Sequence, residues 1–148
     1  MSDDDWPIAE MTAEECWAML GTHEFGRLAF RVVDEQHITP INYAVDRDAD
    51  GRDVLLFRTA PGSKMLAVAL GGEVAFEIDD FSGETAMSVV VRGSARLLEE
   101  DEEHRAENLP LRPWVGTPKY DVVEISPVEV TGRRFELTRP WLHLRLDS

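Results

Sequence analysis

The apolar run Val54-Leu55-Leu56-Phe57 gives way to Arg58-Thr59-Ala60-Pro61-Gly62-Ser63-Lys64, the densest group of anion-competent side chains in the sequence. A strand that ends in Arg-Thr, a Pro-Gly break and a helix beginning at Ser-Lys would present unpaired N-terminal amides at the positive end of a helix dipole, where a phosphate is stabilised. Arg58 can add a bidentate guanidinium, Thr59 and Ser63 hydroxyls, and Lys64 a point charge. The same spacing also suits a plain structural role, with Ser63 capping the helix, Arg58 paired to a carboxylate and Lys64 in water. It is neither a Walker loop nor a dinucleotide fingerprint, so spacing alone leaves both readings open.

The other reactive side chains group less tightly. His23, His37, His104 and His143 are scattered with no pair at ligand spacing, and no metal site is expected. Asp79 and Asp80 are adjacent in a strand pattern, so they face opposite sides and read as a solvated pair near a turn rather than an acid-base couple. Cys16, the one cysteine, falls within a helix pattern and is expected to be a buried structural thiol. Trp114, between prolines, suits an interface anchor or an aromatic wall equally. No side chain stands out as a general acid or base, and no catalytic residue is assigned.

Around these residues the chain of 148 residues, 43% apolar, fits one domain over residues 12–148 after an acidic mobile arm, 1–11. A net charge of -14 argues against nucleic-acid or anionic-membrane surfaces, so an anionic ligand needs a local cluster of cations. No apolar run approaches the roughly 20 residues that span a bilayer, the N-terminus is acidic, and a cytoplasmic location is expected. Thr12-Ala13-Glu14-Glu15 reads as a capping box that opens a helix closed by Gly21. Period-two alternation gives strands over 26–33, 37–45, 53–59, 74–80, 85–99 and 120–137, with Pro40 demanding an edge and Gly93 a bulge. Short helices are expected over 63–70 and 101–108. Six antiparallel strands and a few short helices favour a mostly β, closed or partly closed barrel.

Six blocks occur in a telling order: Gly26-Arg27-Leu28-Ala29-Phe30, Pro40-Ile41-Asn42-Tyr43, Phe57 to Lys64, Val74 to Asp79, Ser88 to Gly93 and Val130 to Arg134. From about Thr12 to Phe135 the chain resembles the pyridoxamine 5'-phosphate oxidase-like family of flavin-binding split barrels, in its short bacterial branch. The resemblance implies a six-stranded split barrel and FMN as cofactor, with Arg58, Thr59, Ser63 and Lys64 on the phosphate. Pro40, Ile41, Asn42 and Tyr43 would lie along the isoalloxazine, giving main-chain or amide hydrogen bonds. It also implies a homodimer with flavin in the interface, where a partner's Met87 and Trp114 complete each site. An FMN-dependent oxidoreductase moving a hydride between a reduced nucleotide and a small organic acceptor is the expected activity. The deazaflavin F420 is the alternative cofactor, and a non-catalytic flavin or haem carrier the alternative role. Two departures stand out: Ala86-Met87 replaces a tryptophan common in relatives, and Gly132-Arg133-Arg134-Phe135 lacks the Arg-x-His cluster of true vitamin B6 oxidases.

Overall fold

Thr12 opens the first helix by a reciprocal cap: Glu15 N donates to Thr12 Oγ1 at 3.1 Å and Thr12 N donates to Glu15 Oε1 at 3.0 Å. The computed structural model describes residues 8–60, 70–107, 109 and 120–137. Within them the order is β1 (Ile8–Met11), α1 (Ala13–Thr22), β2 (Phe25–Val32), β3 (Glu35–Arg47), β4 (Asp53–Thr59), β5 (Leu70–Ser82), β6 (Thr85–Leu97), a 3-10 turn (Glu100–Glu102), α2 (His104–Glu107) and β7 (Asp121–Glu136).

All strand pairs are antiparallel, in the order β1-β7-β4-β3-β2-β5-β6, and β6 also pairs with β7. The strands β2 to β7 therefore close a six-stranded ring, as the alternation predicted. The seventh strand is a correction to the arm: Ile8–Met11 pairs with Gly132–Phe135 at the edge of β7. A second correction concerns Leu70 and Gly71-Gly72, expected at a helix end. They belong to β5, with a register shift between Leu70 and Glu73. The rest of the expected helix over 63–70 lies outside the described residues. The charged helix over 101–108 is replaced by the 3-10 turn and the four-residue α2.

Alternation fills the ring. Leu28 and Phe30 on β2, Ile41 and Tyr43 on β3, Leu55 and Phe57 on β4, Phe76 and Ile78 on β5, Val89 and Val91 on β6, and Val123 and Ile125 on β7 share one core. α1 plugs that core with Cys16, Met19 and Leu20. Gly26 is required for the closure, because a Cβ there would meet the Phe76 ring at 2.5 Å and Glu77 O at 2.6 Å.

β7 keeps this pattern by carrying one extra residue. Arg92 pairs with Glu129 and Gly93 with Pro127, leaving Val128 unpaired and 80% exposed. The bulge expected at Gly93 thus bulges its partner strand. Val123 and Ile125 before Val128 and Val130 after it all contribute to the core, in opposite phase.

The outer face of β3, β4 and β7 holds a second, smaller cluster of Ala44, Leu56, Leu98, Ala106 and Val122. Ala106 brings α2 onto it. Beside it Glu124, 2% exposed, is the one charged residue buried among those described. Its Oε1 accepts from Arg96 Nε at 2.8 Å and its Oε2 from Arg105 Nη2 at 2.7 Å. Arg105 Nε also donates to Asp46 Oδ2 at 2.9 Å, and Arg96 Nη2 to Glu102 Oε2 at 2.8 Å. Two guanidiniums thus hold three carboxylates, drawn from β3, β6, β7 and the segment that carries α2. A buried carboxylate is tolerable only with such partners.

A methyl group at position 93 would collide with the Ser126 carbonyl and crowd Pro127. Backbone cannot swing aside as a side chain can, so Gly93→Ala is expected to cost ~2 kcal/mol or more, read as a lowered urea midpoint. Acid should act through Glu102. Hydrogen bonds from Arg96, with the charges of Arg96 and Arg105, hold its carboxyl below the ordinary value of 4.5 against the opposing effect of burial. A group whose folded pKa is lowered stabilises fully above its unfolded value, and that contribution is lost as pH falls through the folded one. The melting temperature should therefore be flat in this respect above about pH 4.5 and decline below it, and Glu102→Gln should remove part of the decline.

Candidate functional site

Cross-strand register gathers the residues that sequence reading left in separate segments. Phe25 on β2 pairs with Asn42 on β3, and Arg58 on β4 pairs with Val122 on β7. The β3–β4 ladder ends with Tyr43 opposite Phe57, the chain neighbours of Asn42 and Arg58. The pairs Phe25–Asn42 and Arg58–Val122 thus flank the end of that ladder and mark an outer row, with Pro40 on the same face two residues from Asn42. Phe25 is 59% exposed. An exposed aromatic ring, a proline, an amide and a guanidinium in one line suit a flat ligand with an anionic end.

Two contacts fix the Arg58 head. Its Nη2 donates to Ala106 O of α2 at 3.4 Å, and its guanidinium carbon lies 5.6 Å from the centre of the Tyr120 ring, within reach of a cation–π interaction. Asn42 is fixed too, its Nδ2 donating to Glu24 O at 2.8 Å. Both side chains are thus held by the barrel before any ligand arrives, which lowers the ordering cost of binding.

Strand alternation splits the expected site into two faces. Pro40, Asn42 and Arg58 lie outside, whereas Ile41 and Tyr43 point into the core and Thr59, 7% exposed, follows their inner phase. Tyr43 is 1% exposed. Its hydroxyl donates to Leu20 O at 2.6 Å, its ring meets Phe76 edge-on at 4.8 Å, and burial pushes the phenol above its ordinary pKa. Only the main chain of Ile41 and Tyr43 can therefore face a ligand on the outer row. Met87 packs against the core from β6, which β2 and β5 separate from β3, so one chain does not bring it to this row. Ser63, Lys64 and Trp114 lie outside the described residues.

Asp79 and Asp80, expected as a solvated pair, both have partners. Arg27 Nη2 donates to Asp79 Oδ2 at 2.6 Å, and Asp80 Oδ2 lies 3.2 Å from His23 Nε2, on opposite faces as alternation requires. Phe25, Ala106 and Tyr120 escaped sequence reading. Each reaches Arg58 or Asn42 through a pairing or packing between segments far apart in sequence, and no local pattern encodes that. Among the described residues, no helix is long and apolar enough to cross a membrane.

The profile of the pyridoxamine 5'-phosphate oxidase family matches residues 12–134. A crystal structure from Corynebacterium glutamicum, provisionally described as a pyridoxamine 5'-phosphate oxidase, superposes with a TM-score of 0.78 at 37% identity, covering 91% of this chain and 98% of that one. An FAD binding protein from Mycobacterium smegmatis gives a TM-score of 0.77 at 37% identity over 88% of this chain and 100% of that one. An uncharacterized protein of Mycobacterium tuberculosis is 32% identical over 130 residues, 86% of this chain and 85% of the relative. The six-stranded ring, the matched segment and these likenesses together make the chain a member of the pyridoxamine 5'-phosphate oxidase family, with the split-barrel fold.

Proposed function

We propose that this chain binds a flavin nucleotide along the outer row, with the phosphate at Arg58 and the ring beside Pro40, Asn42 and Phe25. The observation that carries this is the guanidinium of Arg58, which meets both Ala106 O and the Tyr120 ring. Ser63 and Lys64, which follow β4 in sequence, are assigned to the same phosphate, Thr59 can add only its main chain because its side chain takes the inner face, and the main chain of Ile41 and Tyr43 meets the polar edge of the ring. The flavin supplies hydride chemistry, and the protein supplies position and hydrogen bonds. The activity that fits is an oxidoreductase passing a hydride between a reduced nucleotide and a small organic acceptor. The protein acts as a homodimer in which the partner chain adds Met87 and Trp114.

FMN is the leading cofactor. FAD is the second reading, favoured by the FAD binding protein from Mycobacterium smegmatis at 37% identity. F420 fits less well, because its longer anionic tail calls for further Lys or Arg beside the phosphate site, and the nearest basic residues to Lys64 in sequence are Arg58 and Arg52.

The absorption spectrum of the purified protein, with mass spectrometry of what denaturation releases, separates the three cofactors. Titrated FMN should raise the melting temperature, and Arg58→Ala should weaken FMN binding by ~2 kcal/mol, the scale of a charge-assisted hydrogen bond. An unchanged spectrum and melting temperature with FMN and FAD would sink the proposal. A monomer by sedimentation would remove the partner's contribution to the site.

A further inference from the structure

The segment that carries Ala106 cannot hold its own place. α2 has four residues, far fewer than an isolated helix needs, and Glu99 to Glu103 before it are five consecutive acids that repel one another. Two devices dock it. Ala106 packs with Ala44, Leu56, Leu98 and Val122, and Arg105 ties α2 to Glu124 at 2.7 Å and to Asp46 at 2.9 Å. The residue after Arg105 is the one whose carbonyl receives Arg58. Register strengthens the link, since Glu124 pairs with Leu56 and Val122 with Arg58 on the same face of adjoining strands.

We propose that Glu124 is a positioning residue for Arg58: through Arg105 it sets α2, and the Ala106 carbonyl of α2 then holds the guanidinium where it grips the flavin phosphate. The inference rests on the flavin-binding function proposed above. It assigns a role in ligand affinity to a carboxylate that is itself buried and two residues along β7 from the strand partner of Arg58. Glu124→Gln is a sharp probe. Both oxygens of Glu124 accept from guanidiniums, so an amide must turn its NH2 against Arg96 or Arg105. Coulomb's law alone gives this substitution the opposite sign, because removing a negative charge near Arg58 would tighten the binding of an anion.

The test compares FMN with riboflavin, which differs by the phosphate alone. In the full-length protein, Arg58→Ala should reduce the ratio of FMN to riboflavin affinity by about tenfold or more, and Glu124→Gln should reduce it by about tenfold with riboflavin affinity unchanged. Glu99→Gln, an equal charge change at an exposed carboxylate, should not lower the ratio. In the Arg58→Ala background Glu124→Gln should cause no further loss of the ratio. A ratio that is unchanged or raised in Glu124→Gln overturns the inference while leaving the flavin site standing, as does an additive loss in the double variant. If Arg58→Ala itself leaves the ratio unchanged, the phosphate assignment fails and the inference fails with it. Arg105→Lys, which keeps the charge but cannot serve two carboxylates with one planar head, carries the same test if the Gln variant does not fold.

Discussion

The ring closes along β7, and nearly every other feature inherits its position from that strand. One edge of β7 is paired to β6 over almost its full length, while the opposite edge serves β4 in its first part and β1 near its end. A strand with partners on both edges is buried on its core face wherever α1 or the opposite wall covers it. The outer face of β7 is covered only near its start, by the cluster around Ala106, and a charge there needs other side chains to provide the missing solvation. Glu124 sits at that position. The charge network of the outer face is therefore less a surface ornament than a condition for placing a buried carboxylate near the start of the closing strand.

The candidate site follows from the same closure. Val122 and Tyr120 come to Arg58 because β4 pairs with the start of β7, and α2 comes to it because Ala106 and Arg105 dock on the outer face of that pair. In a chain of net charge -14, a ligand phosphate meets a mostly repulsive field, so a local cation must be held firmly to compensate. Firm holding costs entropy for a long flexible side chain. Here that cost falls on folding, since the carbonyl and the ring that meet Arg58 come from α2 docked on the barrel and from the residue that leads into β7.

Sequence periodicity revealed what depends on one strand at a time. The capping box of α1 and the alternation of β2 to β7 are local patterns, and each was legible. β1 was not, because four residues beside an acidic terminus carry no clear alternation, and Ile8–Met11 becomes a strand only through the free edge of β7. The stretch 101–108 read as a charged helix, but its like charges leave little to gain from helical spacing, and among the described residues only a 3-10 turn and the four residues of α2 form. The split of Pro40 to Tyr43 into two faces was implicit in the alternation. Assigning all four to a ligand conflicted with the same period that placed Ile41 and Tyr43 in the core. Phe25, Ala106 and Tyr120 were out of reach, since register between distant strands leaves no mark on either strand alone.

The bulge at Val128 has an implication for how such a chain can change over generations. Gly93 has no side chain because the Ser126–Pro127 backbone runs against it, and that approach exists because β7 carries one residue more than its partner. Deleting Val128 alone would turn the far half of β7 inside out, and placing a larger residue at 93 alone would force the backbones apart. Loss of the extra residue becomes tolerable only alongside compensating substitutions that restore the alternation. Position 93 and the length of β7 are thus expected to be inherited as a linked pair, an epistatic unit that local variation cannot dismantle one step at a time.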